Sequence, residues 1–369
     1  MESEQRPNPL PRENPAYSAP LRVVAIGGGT GLSTLLKGLK NFVPTPGEPF
    51  RPSTDQPVIS ELSAIVTVSD DGGSSGRLRK ELNMLPPGDI RNCIVALSED
   101  ADLLSQLFRH RFDKGSGLEG HSFGNLFLAA LTSITKDFAE AVRLSSEILL
   151  TRGHIYPATT SNIELEALLE DGTRVRGETK ITASKGRIHE LSLVPSDVEP
   201  LPQTLEAISR ADVITIGPGS LYTSLIPNLL VRGIAQAIVN SPAIKIYICN
   251  LMTQANESLG LSAAEHIRAL NRHAQAQLFD YALINRTPVS EDLKAKYALE
   301  GAAQILADLE AIEQLGCCPV LGEYLEEGGV ARHATDVVAR ELLEIATQAA
   351  GGPRRSSLAP SPAQQRPVS

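Results

Sequence analysis

Tryptophan is absent from this chain, and only seven tyrosines and eight phenylalanines occur in its 369 residues. So few rings leave little on which nucleic-acid bases could stack. Positive charge is also short. Lys and Arg number 34 against 43 Asp and Glu, a formal net charge of −9, which argues against a general nucleic-acid binder. Cysteine is scarce and scattered, at Cys93, Cys249, Cys317 and Cys318, with no C-x-x-C pair. Two adjacent cysteines suit neither an ordinary disulfide nor a tetrahedral metal site, so free thiols in a reducing compartment are expected. No apolar run approaches the roughly 20 residues that span a bilayer. Residues 1–20 are polar and studded with proline, unlike a secretory leader. These absences lead to an expectation of a cytoplasmic protein with no membrane span and no nucleic-acid partner.

What is present is enough for a sizeable core, with 42% hydrophobic residues. The length alone suggests about two domains, although single α/β domains reach this size. The pattern favours one α/β domain over residues 21–350, flanked by a disordered arm at 1–20 and a disordered tail at 351–369. A small antiparallel β insertion is expected at about residues 155–195.

The chain is organised around Val23–Leu39. Val23, Val24, Ala25 and Ile26 form a short apolar run that meets Gly27-Gly28-Gly29-Thr30-Gly31. Leu32, Leu35, Leu36 and Leu39 then recur with the spacing of one helix face. A buried strand feeding a glycine turn that opens a helix is a phosphate-binding arrangement, because crowding is relieved and the first helical amides are unpaired. The alternative is a tight turn with no ligand. The turn is not a P-loop, since it lacks the lysine, and Leu32 breaks G-x-G-x-x-G. It therefore indicates an anion and not a particular cofactor.

Further along, Pro44, Pro46, Pro49, Pro52 and Pro57 mark a loop, and a strand is expected at Leu62–Val68. Asp89 reads as a helix N-cap after the Pro86-Pro87-Gly88 break. Helices are expected around Ile90–Leu97, Leu126–Ile134 and Phe138–Leu149. Asp171-Gly172 between two alternating runs signals a hairpin, followed by a strand at Ile188–Val194. Short continuous apolar runs at Val213–Ile216, Lys245–Cys249 and Tyr281–Ile284, with helices such as Ala263–Leu270 between, give the pattern of a doubly wound, mostly parallel sheet. The fold class expected is Rossmann-like and three-layered. In such sheets ligands sit beyond the carboxyl ends of the strands, which collects Gly27–Gly31, Ser69–Arg77, Gly217–Ser220 and Asn250 at one rim.

Several residues there carry chemistry. Asp70 and Asp71 could hold a hydrated Mg²⁺ or act as a base, or merely cap their own loop. Ser74 with its neighbours supplies donors, and Arg77 or Arg79 could neutralise a phosphate. His121 could be a general acid or a phosphate donor. The anion-binding set read from the residues is Gly28, Gly29, Thr30, Gly31, Ser74, Arg77, Asp89, Asn125, Gly217, Gly219, Ser220 and Asn250. His266 and His273 read as a solvated helix face. Lys180, Lys185, Arg187 and His189 read as surface charge on the insertion.

The strings Val24–Leu32, Val66–Arg77, Pro87–Asn92, Glu119–Asn125 and Ile216–Ser224 together resemble the bacterial gluconeogenesis factor family. Its superfamily includes 2-phospho-L-lactate transferase. The resemblance covers about residues 22–347. It implies a cytoplasmic regulatory factor needed for normal cell shape on gluconeogenic carbon sources, with cell-wall regulatory proteins as partners and UDP-N-acetylglucosamine as ligand. A homo-oligomer is compatible with it. It adds Thr30, Tyr297 and Arg332 as ligand contacts: a ring can stack on a base or sugar, and a guanidinium can pair with diphosphate. Ala334 and the stretch Gln254–Ser258 depart from the family pattern. A phosphate on Thr335 would compete for Arg332. The alternative function is an Mg²⁺-dependent transferase of a phospho-containing group, using Asp70 or Asp71; a nicotinamide dehydrogenase is set aside because of Leu32.

Overall fold

The computed structural model describes residues 20–45, 58–98, 103–184, 186–255 and 257–351. All but Pro20 and Gly351 of the expected arm and tail, Pro46, Pro49, Pro52 and Pro57 of the proline loop, and Lys185 lie outside the described residues.

The first strand, β1 (Leu21–Gly27), runs into α1 (Gly29–Lys40) and then β2 (Ile59–Val66). Five helices follow: α2 (Gly73–Leu82), α3 (Gly88–Leu97), α4 (Leu103–Arg109), α5 (Phe123–Thr135) and α6 (Phe138–Ile148). After β3 (His154–Pro157) come β4 (Glu164–Leu169), β5 (Arg174–Arg176), α7 (Glu178–Ala183) and β6 (Ile188–Val194). The chain continues through α8 (Pro202–Arg210), β7 (Val213–Ile216), a π-helical turn at Leu221–Leu225, α9 (Ile226–Leu230) and α10 (Ile234–Asn240). Then come β8 (Ile244–Ile248), α11 (Ala263–Ala274), β9 (Tyr281–Asn285), α12 (Glu291–Ala298) and α13 (Leu309–Gln314). The chain closes with β10 (Cys318–Gly322), β11 (Leu325–Glu327), β12 (Ala331–His333) and α14 (Thr335–Gly351).

Seven strands form one sheet in the order β10-β9-β8-β7-β1-β2-β3, and every pairing in it is parallel. This is the expected α/β Rossmann-like architecture. The alternating apolar runs become strands because both faces are covered: all four residues of β7 are buried. On α1, Leu32, Leu35, Leu36 and Leu39 are each at most 2% exposed, and burying a leucine side chain contributes roughly 1.5–3 kcal/mol. α1 packs between α14 and α3, while α8, α10, α9, α11 and α13 make a second connected helical set.

The strand order reverses at β1, with β2 on one side and β7 on the other. That switch point is where a crevice opens in such sheets. Arg22 and Asp212 pin the opposite ends of the same two strands by a two-pronged bond, Nη2–Oδ1 2.9 Å and Nε–Oδ2 3.0 Å.

Three expectations need correction. The second strand starts and stops earlier than Leu62–Val68, and Gly73–Arg77, read as loop, is already helical. The antiparallel part begins at Glu164; residues 155–157 belong to β3, which pairs parallel with β2. The hairpin and Ile188–Val194 form the expected small antiparallel insertion, as a separate three-stranded sheet in the order β5-β4-β6. His266 is fully buried rather than solvated, with Nδ1 2.8 Å from the Ser262 carbonyl, and His273 is half-buried, accepting the Leu191 amide at 3.0 Å. Charged neighbours hide this, because the apolar stripe of α11 includes the histidine rings. Lys180, Arg187 and His189 are exposed as expected.

Candidate functional site

The glycine turn after β1 has two positions at which a side chain would be excluded. Gly29 has φ +61°, the left-handed conformation, and a Cβ on Gly31 would collide with the Pro218 carbonyl. The turn after β7 is thus pressed onto the first turn of α1, and the two glycine turns meet at the switch point. Thr30 and Gly31 lie in that first turn, where a helix supplies no acceptor for its amides.

Part of the anion cradle is already filled by the protein. Asp89 is not the N-cap of α3, where Pro87 stands; its carboxylate lies against Gly28 and near the amide of Gly29, at the turn that opens α1. Burial pushes Asp89 up to about 6, against the pull of that amide, with the charge of Asp70 adding to the rise. Gly217 donates its amide to Ile26 at 3.1 Å, and Gly219 donates to Asn250 Oδ1 at 3.0 Å. Asn250 Nδ2 returns a bond to the Gly219 carbonyl at 2.7 Å, while Ser220 Oγ takes one from Gln254 Nε2 at 2.9 Å. Gly217, Gly219 and Asn250 therefore shape the site, and the expectation that their polar groups stand free for an anion is corrected. A sequence cannot show this, since each partner lies on another strand end.

The acidic pair is divided between two tasks. Asp70 Oδ1 accepts the Gly72 amide at 2.9 Å. Asp71 Oδ1 accepts the Thr179 amide at 2.9 Å and the Thr179 hydroxyl, fastening the start of α7. Among the described residues no three His, Cys, Asp or Glu side chains gather as metal ligands. With Asp71 committed to α7, the pair does not fit the expected Mg²⁺ role. Two carboxylates missed in the sequence stand close by. Glu178 is pushed up to about 9 by burial and by the charges of Asp70, Asp89, Asp71 and Glu257. Burial also lifts Glu257 to about 7, against the hydroxyl and amide of Thr223. No spacing rule links positions 70 and 178, so no local signal announces them.

Arg79 is 8% exposed, with its guanidinium on the carbonyls of Ser69 and Ile163; it holds the loop and is unavailable to a phosphate. Arg77 is exposed and donates to the Glu119 carbonyl at 2.7 Å. Beside it, Ser74, His121 and Asn125 form one buried network. Asn125 Nδ2 donates to Ser74 Oγ at 3.1 Å, and Ser74 Oγ lies 2.9 Å from His121 Nδ1. Burial, helped by Arg77, lowers the His121 pKa, which favours a neutral ring able to accept the serine proton. An open cleft is lined here by Gly73, Ser74, Arg77, Arg111 and the Gly115–Gly120 loop.

Tyr297 and Arg332 lie in a satellite unit. Leu251, Met252, Val289 and Leu293 form its core, against which Tyr297, Leu325 and Ala331 pack. The Tyr297 hydroxyl accepts the Ala331 amide at 3.2 Å. Arg332 is exposed and sits opposite Glu326 in the β11–β12 ribbon. The next residue, His333, donates Nε2–H to the Cys249 carbonyl at 3.0 Å, and burial pushes its pKa down to about 4. Because Asn250 follows Cys249 and locks Gly219, the ribbon is tied to the same rim. Thr335 opens α14, with its carbonyl against Gly38.

Residues 23–325 match the family described as 2-phospho-L-lactate transferase CofD. A gluconeogenesis factor of Halalkalibacterium halodurans is 48% identical over 336 residues, 91% of this chain and 98% of that protein. One of Bacillus subtilis is 45% identical over 325 residues, 88% of this chain and 98% of that protein. The crystal structure of a UPF0052 family member from Bacillus halodurans superposes with a TM-score of 0.82 at 48% identity, covering 88% of this chain and all of that one.

Proposed function

Because the chain belongs to the CofD family, with gluconeogenesis factors among its relatives, we propose that it is a regulatory protein that binds a nucleotide sugar, UDP-N-acetylglucosamine, at the switch-point rim. In this role it supports cell shape and cell-wall homeostasis during growth on gluconeogenic carbon sources. The observation that carries the reading is the convergence at one rim of α1's first turn, the Gly217–Ser220 turn and the ribbon bearing Arg332. A diphosphate would take the amides of Thr30 and Gly31 together with the Arg332 guanidinium, and Tyr297 shapes the ribbon beneath that arginine. The Asp89 carboxylate, against Gly28, sets one wall of the cradle.

Calorimetry with UDP-N-acetylglucosamine tests it. Wild-type protein binds, and Arg332→Ala loses about 1.5–3 kcal/mol, the scale of a hydrogen bond to a charged group. Unchanged affinity in that variant would take Arg332 out of the site.

The second reading is a transferase of a phospho-containing group, favoured by the Ser74–His121 pair and by the carboxylates Glu178 and Asp89, whose ionisation desolvation opposes. Product analysis after long incubation of nucleotide sugar with a deazaflavin acceptor separates the two. Binding without turnover supports the sensor.

A further inference from the structure

We propose that the cleft at the start of α2 is a second oxyanion site, separate from the glycine turns, and that it takes a phosphomonoester. Two guanidiniums line this cleft from two elements, Arg77 on α2 and Arg111 on the loop before α5, and Arg91 on α3 lies near enough to feel the charge of Arg111. Arg77 and Arg111 each spend a nitrogen on a backbone carbonyl, of Glu119 and Gly120 respectively. Arg91 bonds Asn92 Oδ1 at 2.6 Å, and its Nε is buried with no partner. None of the three makes an ion pair with a carboxylate among the described residues, although the chain as a whole is acidic. Glu119 is the acidic residue of the lining; Glu81, one turn beyond Arg77, makes no ion pair with it.

Two lining guanidiniums against one lining carboxylate leave an excess of positive charge. Arginine forks match phosphate oxygens, and charge-assisted bonds to them are the strong ones. The first turn of α2 adds its own donors. Gly72 caps it with no side chain, and no acidic residue sits in that turn, so the amides of Gly73, Ser74 and Ser75 remain without helical acceptors. Asn125, 2% exposed, holds Ser74 at the wall. Across the opening, Gly117 has no neighbouring atom that an added Cβ would meet, which leaves room for an organic substituent on the phosphate. Asp89, whose carboxylate lies against Gly28 at the glycine turn, is on the same helix as Arg91. Its carboxylate discourages a single phosphate from serving both places.

The test is calorimetry on the full chain with inorganic phosphate as probe. One equivalent binds to wild-type protein, and Arg111→Gln weakens it at least tenfold. Saturating UDP-N-acetylglucosamine does not displace the phosphate. Arg111 and Ser116 are both exposed, so Ser116→Glu is a second variant that keeps the fold and blocks phosphate by like charge. Wild-type affinity in both Arg111→Gln and Ser116→Glu overturns the proposal. So does displacement of phosphate by the nucleotide sugar, or binding of malonate as tightly as phosphate. If the nucleotide sugar fails to bind, the reading of the glycine turns falls, and the phosphate measurements still judge the cleft on their own.

Discussion

Among the described carboxylates, Glu178 is the one whose ionisation burial and charge oppose hardest. Its ordinary value of 4.5 moves up to about 9 under desolvation and four neighbouring carboxylates. Folded protein at neutral pH keeps a proton there that the unfolded chain releases. The cost is absent below about pH 4.5 and grows as pH rises toward 9, the reverse of a salt-bridged carboxylate. Glu178→Gln, which cannot ionise, should melt at a higher temperature than wild type at pH 8, with little difference at pH 5. A melting temperature that is equal at pH 8 would mean the carboxyl is not desolvated. Asp89, pushed up to about 6, shows the same physics in milder form, tempered by the Gly29 amide. Neither value follows from composition, since both depend on which carboxylates are brought together.

At the scale of elements, the contact between two turns decides the site. Gly31 is a helical position where alanine would ordinarily be favoured. Here a Cβ meets the Pro218 carbonyl, which is backbone and cannot move aside cheaply. Gly31→Ala should therefore destabilise the protein by about 1–3 kcal/mol, the usual cost of overpacking, read as a lower urea midpoint with unchanged slope. The glycine string and the strand before it were legible because strand, turn and helix are contiguous and each has its own periodicity. The start of α2 was less so. Gly72-Gly73-Ser74-Ser75 looks like loop by propensity, yet the helix begins at Gly73, with its first turn against the buried network of His121 and Asn125. Tertiary contacts overrode the local preference.

Across the whole molecule, the small antiparallel sheet is fastened at two distant points. Asp71 holds Thr179 at the start of α7, and His273 on α11 holds the Leu191 amide on β6. His273 donates Nδ1–H to the Ala269 carbonyl at 2.7 Å, so Nε2 must carry the lone pair that Leu191 uses. Protonation would set N–H against N–H. The pKa is lowered, first by burial, with Arg272 and His189 lowering it further and the Ala269 carbonyl and Glu190 raising it. The stabilisation is complete above about pH 6.5 and is lost as pH falls through the lowered value. Hydrogen exchange should show the Leu191 amide protected at pH 7.5, and losing protection in mild acid before the strands of the main sheet do. Protection that persists in step with the main sheet would show that His273 is not the fastening.

Apolar periods, glycine positions and capping residues act through neighbours in the chain, so the sequence alone determined the parallel α/β architecture, the strand–glycine–helix turn, the hairpin at Asp171-Gly172 and the family. The state of the polar groups at the rim was decided only by the tertiary structure. Ser74 and His121 are 47 positions apart, Asp71 and Thr179 are 108 apart, and Gly219 and Asn250 are 31 apart. Which amides stay free for an anion, which carboxylates keep their protons and which guanidiniums stand without a carboxylate partner depend on distances of a few ångströms. Only the packing of separate elements around one sheet sets those distances.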